Sequence, residues 1–312
     1  MVEIKSNPWR MMGYFGKRLM IEEQNIAILG IGLMGASLSL GLKKRGFSGR
    51  IFGYARREET RLQALESGVV DAVFDDAADA VRESDIVVVC VPIWTIAQLS
   101  KQIIPVLKPG AVVTDVGSTK SELLKTMEPL FKKSEAHFVG SHPIAGSEKT
   151  GLDAGNPDLY DGRLTVVCSS TDTPEDAKQV VCELWRGAGS EVVEMSPSEH
   201  DAMLASTSHL PHMVAAALAR SVADGDPSKK ADFCGTGFKD TTRVASGSAD
   251  MWVDIIDTNR VALEAELDRF HEELQGLISI LRSGNGDDIR KWLEGASADR
   301  NQILKLNKYL KR

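Results

Sequence analysis

Asn25-Ile26-Ala27-Ile28-Leu29-Gly30-Ile31-Gly32-Leu33-Met34-Gly35 decides how this 312-residue chain folds. The four consecutive apolar residues from Ile26 to Leu29 read as a strand buried on both faces. A Gly-x-Gly-x-x-Gly run follows at once, and then a helical pattern over residues 34–45. Each glycine answers a separate need. Gly30 allows the tight turn, Gly32 lets the backbone approach a pyrophosphate, and Gly35 lets helix and strand pack closely. The helix N-terminus turns its free N–H groups toward the phosphates. Gly30, Ile31, Gly32, Leu33, Met34 and Gly35 are therefore candidate cofactor-binding residues. The same glycines could form a turn with no ligand, but the agreement of strand, loop and helix favours a dinucleotide.

An acidic residue that binds the adenosine ribose is expected about 20 residues further on, at the end of the second strand. That end reads Gly53-Tyr54-Ala55-Arg56-Arg57. Ala55 stands where Asp or Glu would repel a 2′-phosphate, and Arg56 and Arg57 can pair with one in a fork. The expectation is NADP, with NAD possible if both arginines are only solvated loop charges.

Further strands are read at residues 50–54, 85–91, 111–115, 137–140, 164–168 and 191–194, with helical stretches between them, including residues 174–187. Apolar strands alternating with helices imply a mostly parallel sheet covered on both faces, an α/β Rossmann-type domain. The strand ending at Val91-Pro92 adds these two residues to the cofactor candidates, because ligands of such sheets bind beyond the strands' C-terminal ends. After Met195 the pattern turns helical. Ser196-Pro197-Ser198-Glu199 is a capping box with Pro at the first helical position. A helix to about residue 223 is expected to kink at Pro211. Apolar residues recur at helical spacing over residues 251–281, and another helix is read over residues 286–310. The division is an N-terminal extension (1–24), a dinucleotide-binding domain (25–195) and an all-helical dimerisation and substrate domain (196–312). Residues 1–24 carry basic residues without an apolar core, which is not a secretory signal. Long apolar helical stripes imply burial against a second copy, so a homodimer is expected.

Hydrophobic residues make up 43% and charged residues 26%, an ordinary globular mix, and the net charge of −7 argues against a nucleic-acid partner. No apolar run approaches a membrane span. The four cysteines, Cys90, Cys168, Cys182 and Cys234, lie in no paired spacing, which argues against zinc and against a disulfide framework. A cytoplasmic protein with reduced thiols and no metal is expected.

The chemistry is carried by histidines. His142, in Gly140-Ser141-His142-Pro143-Ile144-Ala145-Gly146, is placed just after a strand end, where an imidazole can take a proton near neutral pH. Ser118, in Asp115-Val116-Gly117-Ser118-Thr119-Lys120, follows another strand end and could hydrogen-bond His142 or a substrate. Ser208-His209-Leu210-Pro211-His212 has no third metal ligand at suitable spacing, which leaves a polar face at a kinked helix as the better reading. In Gly237-Phe238-Lys239-Asp240-Thr241-Thr242-Arg243, Arg243 could hold a carboxylate bidentately, or instead pair with Asp240 or Glu148. His137, His200 and His271 read as structural or exposed.

Taken in order, these motifs, together with Met251-Trp252, resemble the prephenate/arogenate dehydrogenase family of tyrosine biosynthesis over residues 26–295. The resemblance implies oxidative decarboxylation of a cyclohexadienol that bears a ring carboxylate, with hydride passing to the nicotinamide. With His212 able to accommodate a keto-acid side chain and Arg56 and Arg57 favouring NADP, the expected reaction is prephenate to 4-hydroxyphenylpyruvate with NADP. His142 would take the ring hydroxyl's proton and Ser118 would orient it. His212 and Arg243 would bind substrate carboxylates. Ser147, Glu148, His209 and Asp240 would line or gate the pocket, with Asp240 reaching across the dimer. Arogenate, or both substrates, is the alternative within the family, and an NADP-binding redox sensor without turnover is the alternative outside it. No C-terminal ACT-type domain and no fused chorismate mutase are expected.

Overall fold

The computed structural model describes residue 21, residues 23–146 and residues 149–309. Five strands, β1 (Ile26–Leu29), β2 (Ile51–Tyr54), β3 (Ala72–Phe74), β4 (Ile86–Val89) and β5 (Val112–Asp115), alternate with α1 (Leu33–Lys44), α2 (Glu58–Glu66), α3 (Ala77–Val81), α4 (Ile93–Ile103) and α5 (Ser121–Phe131). β6 (His137–Pro143), β7 (Leu164–Cys168), α6 (Glu175–Gly187) and β8 (Glu191–Glu194) complete an eight-stranded sheet of order β3-β2-β1-β4-β5-β6-β7-β8. Every pairing is parallel except that of β6 with β7.

Strand alternation sends successive residues to opposite faces. Ile26 and Ile28 enter one buried core with Leu38 and Trp185, whereas Ala27 and Leu29 enter a second with Val87 and Phe138. Both faces are thus covered, which is why β1 and β4 read as unbroken apolar runs. Ile21, within the N-terminal extension expected over residues 1–24, belongs to the first core and is buried. The rest of that extension lies outside the described residues, apart from Glu23 and Gln24.

Among the described residues, every element after β8 is helical: α7 (Pro197–Leu204), α8 (Leu210–Ala223), α9 (Ser228–Ala231), α10 (Thr236–Thr242), α11 (Ala249–Thr258), α12 (Arg260–Ser283) and α13 (Gly286–Leu306). The capping box forms at α7: Glu199 N–H donates to Ser196 Oγ at 3.2 Å, and Ser196 N–H donates to Glu199 Oε2 at 2.9 Å.

Four features differ from the expectations. The short β3 was missed, since three half-buried residues carry no periodic signal. The irregularity near Pro211 is a π-helical turn over Ala205–His209, upstream of the proline that lacks an N–H for the helical ladder. The apolar stripe over residues 251–281 is two helices, broken at Asn259. Finally, β6 runs on to Pro143, so His142 lies within a strand and not after one. Residues 137–139 pair with β5, while residues 140–143 continue past its end against β7. No helix among the described residues is long and apolar enough to cross a membrane.

A Cβ at Gly35 would collide with the Gly30 carbonyl oxygen and come within 2.7 Å of Ile28 Cγ2. Gly35→Ala is therefore expected to cost about 1–3 kcal/mol, the range for overpacking, read as a lowered Tm. Gly32→Ala, whose added Cβ meets nothing within 4 Å, is expected to leave stability within about 0.5 kcal/mol.

Candidate active site

A cavity of about 460 Å³ opens at the C-terminal ends of β1, β2 and β4, lined by Gly30, Ile31, Gly32, Tyr54, Ala55, Arg56, Arg57, Thr60, Val91, Gly151 and Leu152. Gly30 adopts φ +107°, a left-handed conformation open to glycine, and a side chain there would strike the Cys90 carbonyl. Open space beyond Gly32 leaves the room a pyrophosphate needs beside the backbone. Leu33 and Met34 form the first turn of α1, and Tyr160 Oη donates to the Met34 carbonyl at 2.7 Å. Pro92 is the N-cap of α4, next to the cavity-lining Val91. Arg56 and Arg57 are exposed at the cavity rim, on a loop braced by Arg61, which donates to the carbonyls of Ala55 at 3.0 Å and Arg56 at 2.9 Å. The residues present fit a dinucleotide with its adenosine end toward β2.

The candidate base lies further along the same edge of the sheet. His142 Nδ1 is 2.8 Å from His200 Nε2, and His200 Nδ1 is 2.7 Å from Asp201 Oδ1. His200, read from sequence as structural or exposed, is fully buried and in direct contact with the candidate base. Asp201 belongs to α7, yet its carboxylate accepts the Lys120 and Ser121 backbone N–H groups at the start of α5, each at 2.8 Å. Beneath lies the fully buried Lys120–Asp115 ion pair. Asp115 also accepts from Gly117 N at 2.7 Å and Ser141 N at 3.0 Å, so its charge is well satisfied.

From Asp201 a chain of contacts leads into the helical half. Asn259 Nδ2 donates to the Asp201 carbonyl at 2.8 Å and meets His209 Nδ1 at 3.2 Å. His209 stands edge-on to Trp252, and His212 stacks on the same indole with ring centres 3.5 Å apart. The break at Asn259 thus serves the site by placing a buried amide between two histidine-bearing segments. Arg243 begins a 3₁₀ turn packed against α8, the helix that carries His212. Arg243 and Asp240 are both exposed, and no ion pair joins them among the described residues. Ser118 is half-buried in the turn before α5, and among the described residues no hydrogen bond joins it to His142. Ser147 and Glu148 lie outside the described residues. No group of three or more His, Cys, Asp or Glu side chains that could hold a metal occurs among the described residues. The sequence reading missed His200, Asp201, Asn259 and Thr60. The capping box that starts α7 could have placed His200 and Asp201 in its first turns, but nothing in the sequence shows what that turn faces.

Burial holds His142 well below the ordinary imidazole pKa, aided by His200, Lys120 and His209. Burial likewise lowers His200 and His212, and takes His209 down to about 4. At neutral pH His142 therefore keeps a free lone pair, as a proton acceptor must. The same shifts link stability to pH. These histidines are neutral in the folded protein but take up protons once unfolded, at a pKa of about 6.5. Their contribution is fully present above that value and is lost as pH falls toward the lowered folded values. Thermal unfolding followed from pH 8 to pH 5 is expected to show Tm falling below about pH 6.5, and a His209→Asn variant should show a shallower fall.

Comparison with known proteins identifies relatives over both halves of the chain. Residues 38–194 match the prephenate dehydrogenase nucleotide-binding domain, and residues 196–295 match the prephenate dehydrogenase dimerization domain. The chain is 33% identical to the cyclohexadienyl dehydrogenase of Zymomonas mobilis over 85% of its own length and 90% of that protein's. It is 32% identical to the prephenate dehydrogenase of Bacillus subtilis over 89% of its length and 72% of that protein's. The crystal structure of prephenate dehydrogenase from A. aeolicus with hydroxyphenyl propionate and NAD+ superposes with a TM-score of 0.84 at 31% identity, covering 90% of this chain and 98% of that one. Synechocystis arogenate dehydrogenase superposes with a TM-score of 0.78 at 29% identity, covering 89% and 99%. The site binds a nicotinamide dinucleotide, and the chain belongs to the prephenate dehydrogenase family.

Proposed function

We propose that this protein carries out the oxidative decarboxylation of prephenate to 4-hydroxyphenylpyruvate with NADP as hydride acceptor. The observation that carries the reading is His142, kept neutral by burial at the sheet edge that also bears the glycine-loop cavity. The bound nicotinamide supplies the hydride acceptor. His142 takes the ring hydroxyl's proton as hydride leaves the same carbon. The ring carboxylate departs as carbon dioxide, its bonding electrons complete the aromatic ring, and the proton returns to the phenolic oxygen. Aromatisation provides much of the driving force, so the protein's task is alignment and proton handling.

Arg243, Ser118, His209, Asp240, Ser147 and Glu148 are proposed to hold or orient the substrate beside His142, with Arg243 and His212 on its carboxylates. Prephenate is preferred over arogenate because of His212. Neutral and stacked on Trp252, it offers an N–H to a keto-acid side chain but no negative charge to an ammonium. Arogenate stands as the second reading, since the relatives above include a cyclohexadienyl dehydrogenase and an arogenate dehydrogenase. NADP is preferred because Ala55, Arg56, Arg57 and Thr60 surround the ribose end of the cavity without a carboxylate. The division at residues 195–196 is proposed as the domain boundary, with the helical part pairing two copies. α13 buries no residue within one chain, and Leu293, Ile303 and Leu306 are exposed along it, an apolar surface that a second subunit would cover. A cytoplasmic location, with its supply of NADP, fits this reaction.

Assaying reduced-cofactor formation with prephenate and with arogenate, each with NADP and NAD, tests the whole reading. Turnover is expected with prephenate, at higher kcat/KM with NADP, and none in all four pairings would overturn it. Replacing Arg56 and Arg57 by Ala should lower kcat/KM with NADP by ~10- to 100-fold, as loss of charge-assisted hydrogen bonds does, and leave the NAD reaction nearly unchanged. His142→Asn should lower kcat by ~10²–10⁴ with little change in KM, and near-normal turnover would remove His142 from the mechanism.

A further inference from the structure

A neutral imidazole carries one ring proton, and which nitrogen holds it decides whether the ring can act as a base on the substrate side. In this protein the proton can be traced through three residues. The Asp201 carboxylate accepts two backbone N–H groups, from Lys120 and Ser121, and lies in the ionised form. An ionised carboxylate has no proton to give, so His200 Nδ1–H is the donor across the 2.7 Å contact with Asp201 Oδ1. His200 is neutral, which leaves a lone pair on its Nε2. Across the 2.8 Å contact between the two rings, the donor must then be His142 Nδ1–H. His142 Nε2 is left bare.

We propose that His200 and Asp201 are positioning residues, which hold His142 in its Nδ1–H tautomer and so aim the Nε2 lone pair at the substrate hydroxyl. The proposal rests on the assignment of His142 as the base of the dehydrogenase reaction. Ser118, expected from family likeness to orient His142, shares no hydrogen bond with it among the described residues, whereas His200 meets its ring directly at 2.8 Å. The same line serves the charged form. When Nε2 takes the hydroxyl's proton, the Nδ1 proton can shift to His200 Nε2, and the positive charge moves next to the Asp201 carboxylate.

Two variants separate positioning from mere packing. In His200→Asn the amide can reach Asp201 but not His142. In His200→Gln the amide oxygen stands near the former Nε2 and can accept from His142 Nδ1–H. His200→Asn is expected to lower kcat by ~10- to 100-fold with substrate and cofactor KM changed less than about threefold, the scale of losing an orienting partner. His200→Gln should recover most of that loss. Nitrogen NMR of the ¹⁵N-histidine-labelled protein should show His142 protonated on Nδ1 and bare on Nε2 in the wild type, and should lose this signature in His200→Asn. A wild-type His142 protonated on Nε2, or a folded His200→Asn with wild-type kcat, would overturn the proposal. If His200→Asn does not fold, the wild-type spectrum and His200→Gln decide. Absence of turnover by the wild type with either substrate would sink the dehydrogenase reading, while the spectrum still reports on the tautomer.

Discussion

The carboxylate of Asp201 joins the two halves of this molecule. A helix begins with N–H groups that lack intrahelical partners, and Lys120, at the N-cap of α5, supplies no side-chain cap of its own. The cap comes instead from α7, 80 residues further along the chain, as Asp201 Oδ2 takes the Ser121 N–H and Oδ1 takes that of Lys120. The positive end of the α5 dipole favours a negative charge at this point. Burial alone would raise the Asp201 pKa, but hydrogen bonds from His200, Ser121 and Lys120 outweigh it and hold the group below the ordinary carboxylate range. The Asp201 backbone carbonyl binds Asn259 as well. One residue thereby sets the relation of the β5–α5 turn, the His200 ring that meets His142 edge-on, and the α11–α12 junction.

The buried pair beneath it follows a different logic. An ion pair out of water gains little net stability, because desolvation consumes most of the Coulomb attraction. Lys120 and Asp115 are both fully buried, so their pairing is read for what it positions and not for net stability. Gly140 is part of that arrangement, since a Cβ there would stand 2.7 Å from Leu124 Cδ1 and 3.2 Å from Lys120 Cδ. In return the pair brings a fixed positive charge close enough to depress the His142 pKa, and its carboxylate anchors the Ser141 N–H next to His142.

Local signals in the sequence carry the sheet. Ile26 to Leu29 and Ile86 to Val89 are legible because both faces of each strand are buried, which leaves no polar residue to blur the run. The glycine loop is legible because each glycine meets a separate steric demand, two of them visible as collisions at Gly30 and Gly35. The end of β6 is not legible. Residues 137–143 form one strand that exchanges β5 for β7 midway, and no local pattern announces a change of partner. His200 and Asp201 are hidden for a related reason. They stand in the first turns of α7, where a histidine and an aspartate usually face water, and only docking of that helix on α5 and β6 gives them partners. Asn259 likewise reads as a neutral residue within an apolar stripe until the stripe breaks there.

The depression of the histidine pKa values has a further consequence for a substrate that carries carboxylates. Negative charge arriving beside an imidazole raises its pKa. A histidine starting at about 6.5 would be driven toward protonation by the very substrate that the proposed base is to deprotonate. His142 starts well below that value, because burial, the neighbouring His200 and His209, and the Lys120 ammonium all oppose its charged form. A base at this position, as proposed above, would keep its lone pair as the substrate's charge arrives. Arg243, proposed above to bind a substrate carboxylate, stands on an exposed turn packed against α8. The lowered pKa of His142 in the free protein thus depends on the groups packed around it, and Asp201 helps hold them there by joining α7 to the start of α5.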